Sequence, residues 1–130
     1  MKKAVVLAVA LMMLSGCGSD PTDPLAQFEP EVDNSTDSFQ LQATDVTDVG
    51  TILQYSWANT GTQASVDHST TTAGGGAGLI IEDASGTTVY NQGLAPSLNE
   101  DTSSGATGTW TITVALSEYS GTLNFRVQKK

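Results

Sequence analysis

The sequence predicts an all-β protein, an antiparallel two-sheet sandwich of roughly six to eight strands. Three observations predict it. Four separate runs alternate apolar and polar residues. Clusters of Asp, Ser and Gly fall between apolar runs. No eleven-residue window beyond the first 16 residues carries a helical 3.6 period. A small closed barrel is the alternative architecture for such a pattern.

The chain opens on Met1-Lys2-Lys3, followed by an unbroken apolar run from Ala4 to Leu14. Eleven residues of helix span roughly 16 Å, too short for a bilayer core of about 30 Å, so the run reads as a signal-peptide core. It ends Leu14-Ser15-Gly16-Cys17, and Cys17 is the single cysteine of the 130 residues. That tetrad resembles the lipobox of bacterial lipoproteins. The resemblance implies removal of residues 1–16, a diacylglycerol thioether on Cys17, and a protein held to the membrane through lipid. Stable anchoring by lipid takes more than one acyl chain, which such a modified cysteine provides. Gly18 stands where an aspartate would imply inner-membrane retention, so an outer-membrane location is expected if the envelope is Gram-negative.

Residues 18–37 contain three prolines and six carboxylates among scattered apolar residues. Such a stretch reads as a flexible acidic tether spanning about 25 Å, with Phe28 the residue suited to dock on the body. The expected division is therefore signal peptide 1–16, lipidated Cys17 and tether 17–37, and β domain 38–130.

From Ser38 the period is two. Phe39, Leu41 and Ala43 alternate with Gln40, Gln42 and Thr44, and Leu53, Tyr55 and Trp57 with Gln54, Ser56 and Ala58. Leu79-Ile80-Ile81 is apolar without alternation, as in a strand covered on both sides or bulged. Asp83-Ala84-Ser85-Gly86 then predicts a hairpin turn into Thr87–Tyr90. Trp110, Ile112, Val114 and Leu116 make the most regular strand, Glu118-Tyr119-Ser120-Gly121 reads as a second turn, and Leu123, Phe125 and Val127 form the last strand. The order from Leu79 to Val127 resembles the C-terminal half of jelly-roll modules of the pre-peptidase C-terminal and P-domain kind, over about fifty residues. The Gly108-Thr109-Trp110-Thr111-Ile112 strand and the Ser120-Gly121 turn carry most of it. On this reading the module would be the whole protein, with no peptidase expected beside it.

Composition excludes much chemistry. With 14 acidic against 5 basic residues and a pI near 4.1, nucleic acid is not an expected partner. One cysteine and one histidine leave no multi-thiolate zinc site and no His-pair metal motif. Asp67-His68-Ser69 gathers triad-type residues, but neighbours in a strand point to opposite faces. Ala73–Gly78 is glycine-rich yet lacks the Lys-Ser/Thr of a P-loop. The turn carboxylates Asp45, Asp48, Glu82, Asp83, Glu100 and Asp101 supply oxygen donors of the kind calcium takes, without an Asp-x-Asp-x-Asp-Gly loop. No cofactor is expected, a structural calcium with unassigned ligands being the exception that the jelly-roll resemblance admits. Five aromatic residues fall in register with the core, leaving Tyr90, Tyr119 and Phe28 as candidate surface rings. The expected function is a non-catalytic, lipid-anchored envelope module binding a protein or glycan. A small hydrolase using His68 is the competing class.

Overall fold

The computed structural model describes residues 24–130, and it is all-β as expected. A short 3-10 turn, Ala26–Phe28, precedes β1 (Glu31–Ser35), β2 (Ser38–Asn59), β3 (Ala64–His68), β4 (Thr71–Glu82), β5 (Thr88–Gly93), β6 (Leu98–Asp101) and β7 (Gly108–Lys129). All pairings are antiparallel. The central strand is β7, with β2 along one side over its whole length. Along the other side β3 and then β4 follow one another, interrupted only at Ser69 and Thr70. There the Thr70 hydroxyl stands in for the missing ladder, accepting from Asn124 N at 3.2 Å.

All seven strands belong to a single hydrogen-bonded sheet that folds over on itself. The two layers are thus halves of one sheet, joined through β2, β7 and the β3–β4 path. The first layer contains β1, Ser38–Ala43, Leu123–Lys129, β3 and β6; the second contains Ile52–Asn59, Gly108–Leu116, the end of β4, and β5. They face one another across one buried cluster, where Phe39 of the first layer lies 5.2 Å from Tyr55 of the second. Trp57 and Trp110 pack edge to face at 5.9 Å in the same cluster, both fully buried. The sheet does not close into a barrel: β1, β5 and β6 each have one strand neighbour.

The fold-over explains two differences from the sequence reading. Asp45–Asp48 and Glu118–Gly121, both expected as turns between strands, lie inside the 22-residue strands β2 and β7. The register slips at Ala43/Val46, Val46/Val49 and Val49/Thr51, so these residues form bulges that bend the strands. Asp45, Asp48 and Glu118 take positive φ of 55°, 51° and 45°. The amides released by the bulges find side-chain acceptors, Asp45 N on Thr122 Oγ1 and Asp48 N on Ser120 Oγ. Glycine is required at two corner positions. A Cβ on Gly75 (φ 69°) would overlap the Ser117 and Glu118 carbonyls, and one on Gly121 (φ 147°) the Thr71 carbonyl.

The ordered body also begins before Ser38. Within the stretch read as tether, β1 pairs with β2 from Glu31↔Gln42 to Ser35↔Ser38. Leu25 is fully buried and Phe28 packs partly buried against the core. Proline and carboxylates are compatible with this edge position because only one flank of β1 needs ladder bonds. Residues 1–16, expected to be a signal peptide, and Cys17 lie outside the described residues.

Candidate functional site

His68 ends β3 on its inward side, 1% exposed. Its Nε2 lies 3.2 Å from Tyr90 Oη, and the Tyr90 hydroxyl donates to Glu100 Oε1 at 3.0 Å. With the Tyr90 proton committed to Glu100, the phenol oxygen accepts from His68 Nε2–H, which assigns the proton to that nitrogen. Nδ1 is buried without a partner in the structure. Burial first, and then the Glu100 carboxylate, pushes the Tyr90 phenol well above its ordinary range. The row therefore ties β3, β5 and β6 together across the two layers. Asp67 and Ser69 are not part of it: Asp67 turns outward to Arg126, and Ser69 Oγ accepts from Asn124 Nδ2.

Asp83 is 6% exposed and its carboxylate is fully occupied. Oδ1 accepts from Ser85 N (3.0 Å), Ser85 Oγ (2.8 Å) and Thr87 N (2.9 Å), while Oδ2 accepts from Ala106 N (2.8 Å). These amides, Ala106 foremost, hold its pKa down to about 2. This is the expected hairpin turn, with a further link to the loop that precedes β7. The other turn carboxylates do not converge. Asp45 and Asp48 mark bulges, Asp101 pairs with Lys130, and no group of three His, Cys, Asp or Glu side chains that could hold a metal occurs among the described residues.

The candidate surface rings are corrected by the structure. Tyr119 is fully buried at the corner, donating to Thr71 O, and Tyr90 is 6% exposed in the row just described. Tyr119 belongs to a strand interior instead of a turn, so its ring falls on the core side. Phe28 is partly covered by the core. A stacking platform of coplanar exposed rings does not form among the described residues.

What the fold does assemble is the outer face of the first layer. Inward Phe39, Leu41, Leu123, Phe125 and Val127 turn the intervening residues outward. Pairing aligns them in rows: Asp33, Gln40, Arg126, Asp67 and Asn99 in one; Glu31, Gln42 and Asn124 in the next; Ser35, Ser38, Gln128, Ser65 and Asp101 in the third. Arg126 and Asp67 pair at 3.3 Å, both about half exposed, an ion pair contributing at most about 1 kcal/mol. A shallow depression lined by Glu31, Val32, Asp33, Gln40 and Gln42 marks the β1 side. The outer face of the second layer differs: Ile52, Gln54, Ser56, Ala58, Thr111, Thr113, Ala115 and Ile80 make it small, hydroxylic and aliphatic. Of these outward residues, Gln40, Gln42, Asn124, Arg126 and Gln128 were visible as the polar members of alternating runs, whereas those of β1, β3 and β6 were not. The signal that they are neighbours lies in the pairing of β1, β2, β7 and β3, which periodicity does not carry.

Compared with known protein families and with curated proteins, the chain matches none.

Proposed function

We propose that this chain is a non-catalytic envelope module, held to a membrane by lipid on Cys17, that binds a glycan on the outer face of its first layer. The observation carrying this reading is the three-row array of side-chain amides, carboxylates, hydroxyls and one guanidinium. Such groups present paired donors and acceptors at fixed spacing, the chemistry that matches a polyhydroxylated ligand. A protein partner is supported less, because tight protein interfaces centre on apolar or aromatic anchors and the three rows contain none. The anchor rests on the lipobox resemblance of Leu14–Cys17 and the apolar run before it. The hydrolase reading draws little support from His68, whose ring is enclosed and bonded to a structural tyrosine.

The test has three arms. A photo-crosslinking residue at position 40 should capture envelope glycan, while one at position 54 on the opposite face should not. Cys17→Ser should abolish acyl labelling and detergent partitioning. His68→Ala, if folded by circular dichroism, should leave glycan capture intact. Capture of protein alone, capture from position 54, membrane fractionation unaltered in Cys17→Ser, or a deletion-like phenotype from folded His68→Ala would each overturn the corresponding part.

A further inference from the structure

The edges of the sheet are guarded unequally. In the first layer the edge strand β1 carries Glu31 and Asp33, and the opposite edge strand β6 carries Glu100 and Asp101. Charges on an edge strand deter pairing with another chain. In the second layer the edge strand β5 is crossed by the loop after β6, Ser103 N donating to Val89 O. The remaining edge, Ile52–Asn59 of β2, has no charged residue of its own, none standing between Asp48 and Asp67, and is crossed only toward its Asn59 end.

The outward backbone groups of this strand belong to alternate residues, Ile52, Gln54, Ser56 and Ala58. The Ser56 carbonyl accepts from Asn34 Nδ2 (2.9 Å) and the Ala58 carbonyl from Asp37 N (2.8 Å). Those of Ile52 and Gln54 have no such cover among the described residues. The side chains tell the same story. Ile52 is 69% exposed, the most exposed of the large hydrophobic residues described. Leu53 heads an inward row whose next members, Val114 and Leu79, are fully buried, yet Leu53 itself is only partly so. The apolar layer stops one neighbour short at this edge.

We propose that a second copy of the chain adds here, strand to strand, about a two-fold axis through Leu53. Antiparallel pairing in that register sets Ile52 against Gln54 of the second copy, and Gln54 against its Ile52. Four backbone hydrogen bonds then use only the groups left open, and the Leu53 side chains meet across the axis. A longer foreign strand would have to compete for the Ser56 and Ala58 carbonyls that Asn34 and Asp37 already hold; pairing about Leu53 requires neither. The contact joins two four-stranded layers into one of eight. Four backbone hydrogen bonds and one pair of leucines make a small contact, so the dimer is transient. Two chains from Gly18 to Lys130, each with 14 acidic and 3 basic residues, repel, and salt relieves the repulsion without weakening a neutral contact.

Sedimentation equilibrium and amide exchange of the chain from Gly18 to Lys130 test this. Between about ten micromolar and about one millimolar, the mass should climb toward that of a dimer, more steeply in high salt. The Ile52 and Gln54 amides should slow in step. Ile52→Lys, an outward substitution that leaves the melting temperature unchanged, should raise the dissociation constant at least about tenfold. A monomer at every concentration overturns the proposal, as does association indifferent to Ile52→Lys. Association weakened by salt points instead to a charge-driven contact and overturns it. Protection of both amides already at the lowest concentration assigns the edge to residues 18–23 and does the same.

Discussion

Asp83 shows how one carboxylate organises a neighbourhood. Its oxygens collect the amides of Ser85, Thr87 and Ala106, joining the β4–β5 turn to the loop before β7. Because its folded pKa is lowered from 3.8 to about 2, its contribution to stability is fully present above pH 3.8 and disappears as the pH falls through about 2. Asp37 and Asp101 are lowered as well, the first chiefly by the Thr60 amide and the second by Lys130, so the difference from a variant isolates Asp83. Asp83→Asn should melt below the parent at pH 7, and the gap should narrow between pH 4 and pH 2. Parallel pH profiles in thermal unfolding would contradict the role given to the carboxylate. Trp110 makes the complementary case for packing. It is fully buried against Trp57, with its Nε1 donating to Ala106 O at 2.7 Å. Trp110→Ala should cost about 3–5 kcal/mol, and Thr111→Ala, one residue along on the outer face, well under 1 kcal/mol. Equal small losses in paired melts would place Trp110 outside the core.

At the scale of elements, the strands themselves were legible and their ends were not. Alternation at Phe39–Ala43, Leu53–Trp57, Trp110–Leu116 and Leu123–Val127 marks the inward faces correctly, since those positions are buried or packed on the core. The Asp83–Gly86 turn was legible too, through an Asx side chain and a glycine at φ 88°. Positive-φ signals are ambiguous, however, because a bulge and a chain reversal ask for the same residues. Asp45, Asp48 and Gly121 satisfy that demand inside continuous strands. The first strand escaped notice for another reason. Glu31–Ser35 is exposed at every position, so it has no alternation to show, and only its ladder to Ser38–Gln42 reveals it. Its removal is a direct check. A chain starting at Ser38 loses β1 and the fully buried Leu25, and should unfold at least about 2 kcal/mol more easily than one starting at Gly18. Equal stability in denaturant titrations would mean that residues 24–37 merely rest on the domain.

For the molecule as a whole, the candidate site was half legible. Gln40, Gln42, Asn124, Arg126 and Gln128 each read as water-facing, but the rows that bring them together depend on pairings between strands far apart in the chain. Long-range register is set by how the layers fold over, which composition does not encode. The same arrangement governs the order in which the chain becomes structured. The strand on which everything else converges, β7, comes after all the others in chain order. While the chain is still emerging from the ribosome, β2, β3 and β4 have been made, but their common neighbour has not. Hairpins β1–β2 and β4–β5 are the local pairings open to them, and isolated hairpins are marginal in water. A body built this way cannot complete its sheet until β7 has been made, and until then it remains in the condition in which a polypeptide can still be threaded through a narrow translocation pore.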